Sequence, residues 1–215
     1  IDSADSIYQA AFNSLVTLQS NVNTATCQLP LYDEARLKQE LDLFYDWFLT
    51  KQLKLSIPEN IRHDLNEKLL LSALEQPQVC VHRDFHSRNL MFLDNNSPGV
   101  IDFQDAVIGP ITYDLVSLLR DCYIAWPESK VEEWVSEYFV LAKKAGLIGP
   151  ISGMQFKLWF DWMGLQRHIK VAGIFSRLSI RDGKSAYLDD IPMTLNYILQ
   201  VSAEYDALAE FHQWL

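Results

Sequence analysis

A chain of 215 residues suits one domain or one large lobe, and 49% hydrophobic content with six Trp can fill a sizeable core. A formal net charge of −10 argues against nucleic acid and anionic membranes as partners, so a phosphate ligand would need local cations or a bound metal to draw it in. No apolar run reaches the ~18 residues of a membrane span, no charged start leads into an apolar stretch and cleavage site, and the widely spaced Cys27, Cys80 and Cys122 fit buried thiols in a reducing, cytoplasmic setting. The chain begins with Ile1 rather than Met, which predicts that native N-terminal sequence has been removed.

Taken in order, Ser3 to Val22 reads as a helix, because Ile7, Ala10, Ala11, Leu15 and Leu18 recur at three- and four-residue steps. Asn23 to Pro30 reads as a loop. Asp33 to Gln52 reads as a second helix with Leu37, Leu41, Phe44, Tyr45, Phe48 and Leu49 on one side. Ser56 has the chemistry of an N-terminal cap, with Pro58 in the first turn of a third helix that Pro77 closes. The β signals are then concentrated: Val79–Val81, Leu90–Leu93 and Gly99–Ile101, the last two joined by Asp94-Asn95-Asn96-Ser97-Pro98 as a hairpin. Helices follow over Thr112–Tyr123, Glu128–Ala145 and Ser152 to about Arg181, with a final pair from Ile191 to the end. The expected fold is mainly α with a small β-hairpin insert.

The densest polar chemistry lies inside those strands: His82-Arg83-Asp84-Phe85-His86-Ser87-Arg88-Asn89, then Asp102-Phe103-Gln104-Asp105. Phosphoryl transfer needs a carboxylate to orient the acceptor hydroxyl and oxygen ligands for Mg²⁺ on a rigid backbone. Asp84 and Asn89 are five residues apart, and a hairpin that folds back on itself brings Asn89 and Asp102 together. Three oxygen donors from distant positions can therefore converge, and one Asn with one Asp suits Mg²⁺, which takes few protein ligands. His82-x-Asp84-x-His86 offers a rival reading as metal ligands on one strand face, but His63, His168 and His212 supply no paired motif to complete a hydrolytic site.

The segment His82 to Asn89 matches the kinase catalytic-loop pattern of His-Arg-Asp, four residues, Asn, and Ile101-Asp102-Phe103 resembles the metal-binding Asp-Phe-Gly segment with Gln104 in place of Gly. With His86 and Gly109-Pro110-Ile-Thr-Tyr113-Asp114-Leu115, the chain resembles the aminoglycoside phosphotransferase and choline kinase group. His82–Leu93, Val100–Arg120 and Phe160–Ser185 are similar to bacterial anomeric sugar kinases, which phosphorylate N-acetylmuramate and N-acetylglucosamine with ATP in cell-wall sugar recycling. The resemblance implies the C-terminal lobe of a protein-kinase-like fold, with ATP as co-substrate, Mg²⁺ as cofactor and a small sugar as partner. It also implies that Asp84 is the base or hydroxyl-orienting carboxylate, that Asn89 and Asp102 are the metal and nucleotide ligands, and that Asp114, at the start of an apolar helix, braces the catalytic loop; His82 itself reads as a packed loop residue rather than a proton carrier. For Asp105 it leaves open a turn carboxylate or an auxiliary contact to metal or hydroxyl. Arg83 stands where the small-molecule transferases often have a small residue; pairing with an internal carboxylate is expected of it. Only about ten residues separate Asp102 from the next helix, so control by a phosphorylated activation loop is not expected.

Such kinases need a phosphate-covering loop, a Lys for the α- and β-phosphates and a Glu that holds it. The first 75 residues contain no glycine and read as helices, so the N-terminal lobe is expected to be absent, and the isolated chain inactive until that lobe completes the site. For the acceptor side, Arg167, Lys170, Arg177, Arg181 and Lys184 fall on one side of the long predicted helix. Residues Asp161 to Lys184 hold five basic and two acidic side chains, +3 within a chain of −10. Two readings stand: a solvated face, or a positive wall for an acidic sugar substituent in which Arg167 and Lys170 bind substrate. Trp126, Trp159 and Trp162 are candidate sugar platforms or core residues. An aminoglycoside or choline-type acceptor, and a non-catalytic kinase-like binding module, are the alternative functions.

Overall fold

The computed structural model describes residues 2–95 and 97–215, leaving Asn96 of the expected hairpin turn outside the described residues. Two compact units emerge: Ile1–Tyr32 with Gln76–Phe160, and Asp33–Glu75 with Asp161–Leu215.

In the first unit, helix α1 (Asp2–Asn21) buries Tyr8, Ala11, Phe12 and Leu15; of the stripe read from the sequence only Ala11 and Leu15 are buried, Ala10 and Leu18 are half-buried and Ile7 is exposed, because the buried face turns toward Tyr8 and Phe12. Strand β1 (Gln78–Val81) follows, then β2 (Leu90–Met91), β3 (Gly99–Val100) and β4 (Val107–Pro110). Strands β2 and β3 form the expected antiparallel hairpin, with Leu90 opposite Val100 and Met91 opposite Gly99, although the ladder is shorter than the apolar runs. β4 was not expected. It pairs antiparallel with β1, Cys80 opposite Ile108, and every one of its residues is buried. On its other edge the Tyr32 amide donates to the Ile108 carbonyl at 2.7 Å, and the Ile108 amide donates to the Pro30 carbonyl at 2.9 Å. Gly109 permits that approach, since a Cβ there would stand 3.0 Å from the Cβ of Tyr32.

Helix α4 (Tyr113–Leu119) is buried along its whole length and stops four residues before the predicted Tyr123. The cause is local: the Asp121 carboxylate accepts the Tyr123 amide at 3.1 Å, an Asx turn that competes with another helical turn. Helix α5 (Glu128–Lys144) has Glu128 in its first turn and Lys143 and Lys144 in its last, the arrangement a helix dipole favours. Its Trp134 stacks on Tyr8 at 4.2 Å, and Trp126 lies edge-on to both rings while its Nε1–H donates to the Tyr8 hydroxyl at 2.7 Å. Trp126 is half-buried, held by these ring contacts. The thiol of Cys80 is pushed up to about 11, by burial first and then by the Asp114 charge, and all three cysteines are free.

The second unit holds α2 (Glu34–Leu43), α3 (Glu59–Leu74), the part of α6 (Gly153–Asp182) from Asp161 onward, α7 (Ile191–Glu204) and α8 (Ala209–Trp214). Asp33 caps α2 by accepting the Arg36 amide at 3.0 Å. The single helix expected over Asp33–Gln52 divides, because Phe44–Leu53 is wound as a π-helix. The change of winding falls beside Gly173 of α6, where a Cβ would lie 2.4 Å from the Leu43 carbonyl carbon and 2.6 Å from the Phe44 nitrogen. The expected Ser56 cap is corrected: Pro58, extended at φ −55°, ψ 137°, is itself the N-cap of α3, and no side chain caps the helix. No described helix is long and apolar enough to cross a membrane.

Candidate active site

The loop between β1 and β2 is folded by its own backbone. The Asp84 carbonyl accepts the His86 amide at 3.0 Å and the Asn89 side-chain Nδ2–H at 3.0 Å, and the Asn89 amide donates to the His86 carbonyl at 2.9 Å across the short 3₁₀ turn Ser87–Asn89. Because the Asn89 amide group spends its N–H on Asp84, its Oδ1 is the end left to receive a cation. The Ile101 amide donates to the Asn89 carbonyl at 3.1 Å, which draws Asp102 to the same loop as Asp84 and Asn89. Asp102 is exposed, and its carboxylate accepts the Gln104 Nε2–H at 2.8 Å.

Asn89 and Asp102 offer oxygen donors only. That set fits Mg²⁺, which binds through one or two protein groups and keeps phosphate and water oxygens for the rest. The rival His82-x-Asp84-x-His86 reading fails because β1 ends at Val81, so the three residues do not alternate on a strand. Among the described residues, no group of three or more His, Cys, Asp or Glu is placed to hold a metal.

Among the described residues, two of the three non-glycine residues with left-handed backbone lie at this chemistry, Arg83 at φ 76° and Asp102 at φ 72°. Such conformations cost of order 1–3 kcal/mol and persist where the surroundings hold them. For Arg83 the holder is visible. The fully buried Asp114 carboxylate accepts the His82 amide at 2.7 Å and the Arg83 amide at 2.9 Å, gripping the loop on either side of the turn. The Arg83 guanidinium lies 5.9 Å from the Tyr32 ring centroid. His82 is 2% exposed and packs edge-on against Phe85. Burial pulls its imidazole below the ordinary His range, against a smaller upward pull from the Asp84 carboxylate, the nearby Ile101 backbone and Asp102. Neither ring nitrogen completes a hydrogen bond.

Sequence reasoning missed a second buried carboxylate, Asp121. It accepts the Ser87 amide at 3.1 Å and the Ser87 hydroxyl at 2.5 Å. A lone Asp after Arg120 carries no spacing rule that would have flagged it. Asp105 sits exposed in the turn that follows Asp102, next to the Ala106 amide that closes back onto the Phe103 carbonyl at 3.1 Å. Ile101 and Phe103, on either side of Asp102, and Met91 and Phe92 of the hairpin are all exposed, Phe92 at 76% and Phe103 at 71%.

The remaining candidates belong to the second unit. Trp162 is half-buried and edge-on to Tyr205, whose hydroxyl donates to the buried Asp161 at 2.5 Å. Trp159, in the first unit, is 5% exposed and is core. The basic stripe on α6 is not an open wall. Arg167 is 5% exposed, the Lys170 ammonium pairs with Glu40 at 3.1 Å with both side chains about 11% exposed, and Arg181 pairs with its neighbour Asp182 at 2.7 Å.

Within the first unit, two small antiparallel sheets and the hydrogen-bonded loop that carries Asp84 and Asn89 and ties in Asp102 have the form of a kinase-type lobe. The chain belongs to the phosphotransferase enzyme family (APH), whose model matches residues 2–147. It is 47% identical over 208 residues to an N-acetylmuramate/N-acetylglucosamine kinase of Neisseria meningitidis, covering 95% of this chain and 61% of that protein. It is 41% identical to the Pseudomonas putida kinase of the same name (97% and 62%) and 43% identical to that of Pseudomonas aeruginosa (99% and 63%). The chain thus spans a little over three-fifths of the length of these relatives. Among solved structures it resembles the ADP-bound aminoglycoside phosphotransferase APH(2'')-Ib, with TM-score 0.55, 17% identity, and 90% of this chain and 63% of that one covered. It also resembles APH(2'')-IIa in its gentamicin complex, with TM-score 0.59, 15% identity, and 95% and 63% covered. At these identities the likeness carries the fold, that of the C-terminal lobe of the aminoglycoside phosphotransferases.

Proposed function

We propose that this chain carries the acceptor-activating and metal-holding half of an ATP-dependent kinase that phosphorylates the anomeric hydroxyl of N-acetylmuramate and N-acetylglucosamine in cytoplasmic cell-wall recycling. The observation that carries the proposal is the folded loop in which Asp84 holds the Asn89 amide through its own carbonyl while Ile101 ties Asp102 to Asn89. The relatives' shared name and their 41–47% identity supply the substrate.

In this reading the Asp84 carboxylate accepts a hydrogen bond from the sugar hydroxyl, orients it for in-line attack and takes its proton. A new O–P bond forms to the sugar as the bond between the γ-phosphorus and the β,γ-bridging oxygen breaks, and ADP departs. Asn89 Oδ1 and Asp102 would hold Mg²⁺, which when bound neutralises phosphate charge. The exposed side chains of Met91, Phe92, Ile101 and Phe103 are those we assign to nucleotide and to the remaining polypeptide of the longer protein. Accordingly the 215-residue chain alone turns over little or no ATP. The functional test is the full-length protein with Mg²⁺–ATP and a panel of N-acetylmuramate, N-acetylglucosamine, aminoglycosides and choline, with the phosphorylated position read by ³¹P NMR. An anomeric phosphate on the two amino sugars is expected. Transfer to an aminoglycoside or to choline instead overturns the substrate, and transfer to nothing overturns the function.

A further inference from the structure

We propose that Asp121 is a positioning residue for phosphoryl transfer, acting through Ser87 on the loop that carries Asp84 and Asn89. The proposal rests on the phosphotransfer reading of that loop. Asp121 is 1% exposed and lies outside the kinase motifs. One of its oxygens accepts both the amide and the hydroxyl of Ser87, at 3.1 and 2.5 Å, and the other accepts the Tyr123 amide at 3.1 Å. The negative charge is thus met by three donors in a dry setting, where such bonds are short and strong.

The residues on either side of Ser87 meet the same short segment. The His86 ring lies edge-on to Tyr123 with centroids 5.6 Å apart, and the Arg88 guanidinium sits 3.4 Å over the Tyr123 ring centroid. Three consecutive loop residues, His86, Ser87 and Arg88, are therefore clasped by Asp121–Tyr123.

The consequence reaches the chemistry through short covalent and hydrogen-bonded links. Ser87 opens the 3₁₀ turn that ends at Asn89, and the Asn89 side chain donates to the Asp84 carbonyl. Asp114 fixes the loop before Asp84, at His82 and Arg83. Asp121 fixes it after Asp84, at Ser87, two residues before Asn89. Without the second grip the segment between Asp84 and Asn89 loses its charged anchor, and the aim of Asn89 Oδ1 loosens. A misplacement of about 1 Å in a reacting group can cost ~10²-fold in rate.

The test uses the full-length protein with Asp121→Asn, Ser87→Ala and the double variant. Its readouts are kcat, KM for the sugar, and Mn²⁺ affinity in the presence of ATP by electron paramagnetic resonance. Asp121→Asn should lower kcat by roughly 10- to 10²-fold, leave the sugar KM essentially unchanged and weaken Mn²⁺ binding by at least several-fold. Ser87→Ala should do the same to a smaller degree, and the double variant should be no worse than Asp121→Asn, as two partners in one contact require. A folded Asp121→Asn protein with unchanged kcat and Mn²⁺ affinity overturns the proposal, as does a loss confined to thermal stability. If Asp121→Asn does not fold, Ser87→Ala decides by the same readouts. If the wild type phosphorylates no sugar, the functional reading falls separately, and the Mn²⁺ affinities alone decide whether the clasp aims Asn89.

Discussion

Replacing Asp114 by Asn keeps the side-chain shape and removes one acceptor from a fully buried site. The carboxylate now takes two backbone amides, from His82 at 2.7 Å and Arg83 at 2.9 Å. Hydrogen bonds to a charged group contribute about 1.5–3 kcal/mol each. An amide can serve one of the two N–H groups, as a weaker neutral acceptor, and turns its own NH₂ toward the other. The expected loss is about 2–4 kcal/mol, a large share of the roughly 5–15 kcal/mol that holds a domain folded. The same grip keeps Arg83 at φ 76°, so Arg83→Gly, which removes the left-handed penalty, should recover part of that loss when combined with Asp114→Asn. The assay is urea unfolding of the parent and the three variants. A lower midpoint with an unchanged slope is the expected sign. A loss under about 0.5 kcal/mol, the size of an ordinary surface substitution, would refute the claim that Asp114 holds the loop.

Gly173→Ala puts a methyl 2.4 Å from the Leu43 carbonyl carbon, and should cost upward of ~1–3 kcal/mol in the same unfolding assay; a neutral result would remove the packing account of the π-helix. Lys170→Met leaves Glu40 buried without its cation and should destabilise by about 3–5 kcal/mol; a Lys170 that serves sugar binding alone would leave stability untouched. His82 is held neutral by burial, so the unfolded chain binds the extra proton first as pH falls. Its contribution to stability is whole above the unfolded value of 6.5 and declines as pH drops toward the lowered folded value. The stability gap between wild type and His82→Gln should therefore shrink between pH 7.5 and 5; a constant gap would contradict it.

Much of the loop was legible because its chemistry is local. Turn residues between two apolar runs close the hairpin, and the five-residue step from Asp84 to Asn89 is spanned by one hydrogen-bonded loop. The extents of α1, α5 and α6 were legible for the same reason. What the sequence hid depends on partners far along the chain. β4 carries Gly109 and Pro110, which read as turn signals, yet it is a buried strand because β1 and the Pro30–Tyr32 backbone supply its hydrogen bonds. The π-winding of Phe44–Leu53 answers to Gly173, some 130 residues later by the numbering. Asp121 belongs to no motif, and only the fold sets it against Ser87. The basic stripe on α6 illustrates the converse limit, since periodicity gives the face of a side chain but not the acid, Glu40 or Asp182, waiting beside it.

The central claim is that Asp84 activates the acceptor while Asn89 and Asp102 hold metal and nucleotide. Single-turnover transfer from bound Mg²⁺–ATP to N-acetylglucosamine, comparing the full-length wild type with Asp84→Asn, tests it most directly. The account predicts a drop of roughly 10²–10⁴-fold in the transfer rate, with the affinity for Mn²⁺ and ATP retained. An Asp84→Asn protein that transfers phosphate at the wild-type rate would contradict it.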